Sequence, residues 1–138
     1  MATASKSKLQ NFIDGESVDA ADGATEEVTN PANGEVIAEM PLSNEEDVNR
    51  AVAAAKRAFD GWATTTPAER ASAMFKLADL LDEHAEEIAD LEAADACKPR
   101  SAFLEDEMPA VSDTLRFFAG AGRVPEGQAS AEYVAGRQ

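Results

Sequence analysis

The sequence predicts an α/β fold: N-terminal β hairpins, then three to four packed helices, then a terminal strand. Three observations carry this. Two turn clusters, Asp14-Gly15 and Asn30-Pro31-Ala32-Asn33-Gly34, each separate short runs rich in strand-forming residues. Two capping patterns, Ser43 with Glu46 and Thr66 with Glu69, each open a stretch of helical periodicity. Lys98-Pro99 then ends one helix, and a second long apolar stripe begins just beyond it.

Taken in order, the first eight residues are polar and read as a flexible N-terminus. Leu9 to Val18 forms a short hairpin, with Phe12 and Ile13 before the turn and Val18 after it. Ala20 to Gly23 is a polar connection. Val28-Thr29 leads into the Asn30–Gly34 turn, and residues 36–40 leave it as a second strand. The helix after Ser43 carries Val48, Ala51, Val52, Ala55 and Phe59 on one face. It is expected to stop near Gly61, with Trp62 folded back onto that face.

The helix after Thr66-Pro67 is expected to bury Ala71, Met74, Phe75, Ala78 and Leu81, and a further helical stretch carries Ile88 and Leu91 towards the Lys98-Pro99 break. Beyond the break, Leu104, Met108, Val111, Leu115 and Phe118 recur at spacings of four and three. That is one face of a helix of about five turns. Pro109 lies inside it and predicts a kink. After Arg123 the pattern becomes a loop, and Glu132-Tyr133-Val134 is the expected terminal strand.

Composition narrows the function classes. A chain of 138 residues fits one domain, burying roughly 65–70% of its unfolded surface. Twelve basic against twenty-seven acidic residues give a net charge of -15. Such a surface repels phosphate backbones and anionic lipid, which argues against nucleic acid and membrane as partners. The acids are scattered along helices, as on a solvated surface; a salt-adapted proteome would produce the same balance. A single cysteine precludes an internal disulfide, and no secretory or membrane-spanning pattern is present, so the chain reads as cytoplasmic.

Leu91-Glu92, Asp95 and Cys97-Lys98-Pro99 resemble the Leu-Glu…Asp…Gly-Lys-Pro signature of the aldehyde dehydrogenase superfamily. The runs Phe103–Pro109 and Arg116–Arg123, with Glu132-Tyr133-Val134, are similar to the γ-aminobutyraldehyde dehydrogenase branch. The resemblance extends from about Phe12 to the last residue. It implies an incomplete piece of an aldehyde dehydrogenase fold: a flexible stretch over 1–8 and a partial N-terminal domain over 9–138. The nucleotide-binding core and the catalytic residues would then lie beyond Gln138.

The implied complete enzyme is an NAD-dependent homo-oligomer that oxidises an aldehyde, or aminoaldehyde, to the carboxylic acid. Its chemistry runs through a thiohemiacetal on a cysteine, with hydride passed to NAD. This segment would supply part of the oligomerisation arm and helices flanking the nucleotide-binding sheet, and would be inactive alone. The alternative is a free-standing acidic interaction module, or a truncated remnant, without catalysis. A reading frame that continues past Gln138 would favour the enzyme.

The individual candidates divide sharply. Cys97 stands at the C-terminal end of a helix, where the dipole disfavours a thiolate. The family pattern has glycine there and its nucleophile much later, so Cys97 is read as a substitution at a helix cap. Glycine at such a cap adopts a left-handed conformation that cysteine resists. Gly120-Ala121-Gly122 follows a helix rather than a strand, and reads as a C-cap rather than a dinucleotide loop. His84, among Asp82, Glu83, Glu86 and Glu87, reads as solvated surface, as do the runs Glu86-Glu87 and Glu105-Asp106-Glu107.

Asp95 stands above this background. By resemblance, it and the backbone carbonyls of Val28 and Thr29 line a site for a monovalent cation, K⁺ or Na⁺. The equal alternative is an ion pair between Asp95 and Lys98.

Overall fold

The computed structural model describes residues 7–124. They divide into two compact units. One holds the residues up to Ala63 together with Ala94–Cys97; the other holds Thr64–Ala93 and the residues from Lys98 onward.

The first unit contains β1 (Ser7–Lys8), β2 (Asn11–Ile13), β3 (Glu16–Val18), β4 (Thr25–Thr29), β5 (Val36–Pro41) and α1 (Glu45–Ala63). β2 and β3 form the predicted hairpin, with Asn11 opposite Val18 and Ile13 opposite Glu16. Its turn residues Asp14 (φ 58°) and Gly15 (φ 83°) are both left-handed. That is the requirement of a type I′ turn, whose twist matches the strands it joins. β4 and β5 pair antiparallel on either side of the Asn30–Gly34 turn.

β1 was not foreseen. Ser7 and Lys8, placed by the sequence in the flexible stretch 1–8, pair in parallel with Ala38 and Glu39. The strand order becomes β1-β5-β4. The pairing rests on backbone groups, with the Leu9 N–H donating to the Glu39 carbonyl at 2.8 Å. Two polar side chains give no sequence signal of such a strand.

Two expectations for α1 need correction. Its start is capped from Asn44, not by a box of Ser43 and Glu46. The Asn44 side chain accepts from the Glu46 N–H at 2.9 Å, and the Asn44 N–H donates to Asp47 at 3.0 Å. Ser43 is occupied elsewhere, its hydroxyl donating to Asn11 Oδ1 at 3.0 Å. The end also differs: α1 runs through Gly61 and Trp62 to Ala63. Gly61 is not left-handed, so it terminates nothing; the break falls where Thr66-Pro67 starts the next helix.

The predicted apolar face of α1 exists but is not covered by the described residues. Val52 is 60% and Phe59 63% exposed, and Val48 is exposed as well. What the unit buries is small: Ala20, Ala38 and Ala54, with the carboxylate of Asp47. Periodicity marks which face of a helix is apolar; whether it is covered depends on the neighbours.

The second unit contains α2 (Pro67–Glu83), most of α3 (Ala85–Ala96), α4 (Arg100–Ala102), a π-helical turn (Phe103–Glu107) and α5 (Met108–Ala121). The Thr66 capping box forms as predicted. Glu69 Oε2 accepts the Thr66 N–H at 2.7 Å, and the Thr66 hydroxyl oxygen accepts the Glu69 N–H at 3.3 Å. Pro67 follows at the first helical position, where its missing N–H costs nothing.

The kink predicted at Pro109 takes the form of the π turn just before it. The Met108 N–H donates to the Phe103 carbonyl, five residues back. Proline cannot donate, and its ring would strike the carbonyl four residues earlier. Widening the preceding turn relieves that clash while keeping the chain helical.

The core of this unit gathers Ala89, Phe103 and Met108, with Leu81, Ala85, Ile88 and Leu104 packed against them. Ala71, Ala78 and Ala119 are buried where α2 and α5 pack together. Of the face expected on α2, Met74 and Leu81 are half-buried and Phe75 is exposed. Of the face expected on the last helix, Met108 is buried, whereas Val111 and Phe118 are exposed. Ser112 and Ala119 face inward with Met108 instead. The expected terminal strand at Glu132–Val134 lies outside the described residues.

Candidate functional site

The turn between β4 and β5 is closed by backbone and side-chain hydrogen bonds. The Asn30 carbonyl accepts the Gly34 N–H at 2.8 Å, and the Asn30 N–H donates to the Glu35 carbonyl at 2.8 Å. Two Asx interactions brace it from within: Ala32 N–H to Asn30 Oδ1, and Glu35 N–H to Asn33 Oδ1, each at 2.9 Å. Short Asn side chains bonding their own backbone two residues on are what make Asn-Pro-Ala-Asn-Gly a turn.

Immediately before this turn the β4–β5 ladder slips. Val28 opposes Ala38, but Thr29 opposes Val36, passing over Ile37. A bulge of this kind locally re-aims the backbone groups beside it. Val28 and Thr29, the two candidate carbonyl donors, therefore sit at an irregularity and not in a continuous ladder.

The end of α3 approaches the same turn. The Cys97 thiol donates towards Asn30 Oδ1 at 4.0 Å, the outer reach of a sulfur hydrogen bond. Cys97 is also left-handed, with φ of 56°, the conformation that the family's glycine would adopt freely. Asp95, two residues earlier, is exposed and has no hydrogen-bond or ion-pair partner among the described residues. The contact shown here joins Cys97 to Asn30, the residue after Thr29.

Lys98, the alternative partner for Asp95, is committed elsewhere. Its Nζ lies 2.6 Å from Glu107 Oε2 and 3.0 Å from Glu92 Oε1. Those two carboxylates, Glu107 foremost, raise its pKa above the ordinary lysine value. It also stands over the Phe103 ring at 5.9 Å, within cation–π range. The lysine therefore fastens α3 to the π turn.

A second aspartate of the first unit shows the opposite environment. Asp47 is 2% exposed. It accepts N–H groups from Asn44 (3.0 Å) and Ala21 (3.0 Å to one oxygen and 3.2 Å to the other), and the Arg50 guanidinium at 2.8 Å. The Asn44 amide is the foremost cause of a pKa held below the ordinary aspartate value, and burial opposes it. Asp47 ties the loop after β3 to the start of α1. Sequence reading passed it over, although Asn44 with Asp47 three residues on is itself a capping pattern.

The remaining candidates sit as expected. His84 Nδ1 lies 3.2 Å from Glu87 on an exposed surface. Gly122 follows α5 as its C-cap, its N–H donating to the Phe118 carbonyl at 2.9 Å. A Cβ at Gly122 would meet that same oxygen at 3.2 Å, so the glycine serves a close turn of backbone. Among the described residues no three His, Cys, Asp or Glu side chains gather to hold a metal ion. No helix among them is long and apolar enough to cross a membrane. Shallow grooves of about 250 and 370 Å³ run between the β2–β3 hairpin and α1, bordered by Phe12, which is 76% exposed.

Residues 18–137 match the sequence model of the aldehyde dehydrogenase family, well over half of the chain. The chain belongs to the aldehyde dehydrogenase family. It is 46% identical over 110 residues to an aminoacetaldehyde dehydrogenase of Pseudomonas aeruginosa, covering 78% of this chain and 22% of that protein. An NAD⁺ complex of an aldehyde dehydrogenase from Bacillus cereus superposes with a TM-score of 0.79 at 45% identity, over 82% of this chain and 23% of that one.

A γ-glutamyl-γ-aminobutyraldehyde dehydrogenase from Burkholderia cenocepacia superposes with a TM-score of 0.83 at 37% identity, over 88% and 25%. The chain thus spans about a quarter or less of the length of these relatives. Its strands followed by helices are the N-terminal part of the aldehyde dehydrogenase fold. The γ-aminobutyraldehyde branch, singled out by the sequence, is one of several family neighbours.

Proposed function

We propose that this chain is the N-terminal portion of an NAD-dependent aldehyde dehydrogenase that oxidises an aldehyde, of the aminoaldehyde class, to the carboxylic acid. The observation that carries it is the family match over residues 18–137, supported by a solved relative holding NAD⁺ and a relative named for an aminoaldehyde. NAD would accept the hydride in the complete enzyme, which would be a homo-oligomer. The exposed apolar face of α1 fits a segment that packs against further structure.

The chain's own residues do scaffold work in this reading. Its one thiol, Cys97, is exposed at the negative end of α3, with Asn30 as its contact. Among the described residues no cation or base is shown beside the thiol to activate it, so this reading gives Cys97 no catalytic role. Purified 1–138 with NAD⁺ and an aminoaldehyde is therefore expected to form no NADH. NADH formation that Cys97→Ser abolishes would overturn this.

The same reading assigns Asp95 and the carbonyls of Val28 and Thr29 to a monovalent cation, K⁺ or Na⁺. A carboxylate in the last turn of a helix faces the negative end of the dipole, and Asp95 has no cationic partner among the described residues. A hard cation is matched by carboxylate and carbonyl oxygens. The bulge at Val28 and Thr29 and the nearby Cys97–Asn30 contact support this placement. Further ligands would come from the rest of the enzyme.

A further inference from the structure

We draw no further inference here: the strongest candidate, the apolar groove between the β2–β3 hairpin and α1 bordered by Phe12, Ala51, Ala54, Ala55 and Ala58, is an unpartnered face, and nothing in the structure shows what covers it.

Discussion

The first unit contains the start of one helix and the end of another, and the two are stabilised in opposite ways. At the start of α1, charge and hydrogen bonding are complete. Asn44 caps the helix, and Asp47 receives two backbone amides and the Arg50 guanidinium. Its negative charge also sits at the positive end of the dipole. At the end of α3 both terms run the wrong way. Asp95 places a negative charge at the negative end of its helix, and Cys97 holds a left-handed φ that disfavours a side chain. Asp47 is buried and fully bonded, whereas Asp95 is exposed to solvent and its side chain has no protein partner among the described residues.

The largest effect is expected from breaking the saturated end. Asp47→Ala leaves the Asn44 and Ala21 amides without their acceptor and frees α1 from the loop after β3. Burying unmatched donors is among the established routes to severe destabilisation. Thermal unfolding should show a lower Tm than for any exposed aspartate changed to alanine. A Tm equal to that of the wild type would mean that water replaces Asp47 without loss.

Acid should expose the same asymmetry. The folded-state pKa of Asp47 is depressed, chiefly by the Asn44 amide. Its contribution is therefore present above the unfolded value of 3.8 and lost as pH falls through the lower folded value. Glu69 and Asp82 are also depressed, by Thr66 and Arg116 respectively, and they titrate out in the same direction. Lys98 is raised, so its contribution is whole below the ordinary lysine value and disappears only as pH climbs past the folded one. Stability should hold through neutral pH and fall below about pH 4. Asp47→Asn should flatten part of that acid limb; an unchanged limb would remove Asp47 from its causes.

At the strained end, Cys97→Gly should stabilise. A left-handed non-glycine residue costs roughly 1–2 kcal/mol, and glycine returns about 0.5–1 kcal/mol through the freedom it loses on folding. The net gain lies between about 0 and 1.5 kcal/mol, readable as a shift in the denaturant midpoint. A destabilised Cys97→Gly would show that the thiol's contact with Asn30 outweighs the strain.

The sequence disclosed these features unequally. Turns read well because their chemistry is local: Asp14-Gly15 and the two Asx interactions of Asn30 and Asn33 need no distant partner. The Thr66 box and the disturbance before Pro109 were legible for the same reason. β1 was not, because its pairing with β5 depends on backbone groups thirty residues away. The inward faces were only half legible. Spacing identified the apolar stripe of α1, but what covers a stripe is decided by other elements, and on α5 the small residues Ser112 and Ala119 are buried while Val111 and Phe118 are exposed.

At the candidate site, Asp95, Val28 and Thr29 came from family resemblance alone. What the fold adds is the bulge, the Cys97–Asn30 contact and the removal of Lys98 to Glu92 and Glu107. The residue that binds the unit together, Asp47, was missed because Ser43 and Glu46 offered an equally good cap one position earlier.

The contrast between the two helix ends is tested most directly by thermal unfolding of the complete enzyme with and without K⁺, in the wild type and in Asp95→Asn. The wild type should gain Tm as K⁺ is added, as any ligand specific for the folded state requires. Asp95→Asn should lose most of that gain, falling below the wild type only once K⁺ is present, because without the cation its removal takes a charge away from the negative end of the helix. A wild type indifferent to K⁺ and Na⁺ alike, or a Lys98→Met variant that reproduces the whole loss, would contradict the cation site and return Asp95 to the protein's own charges.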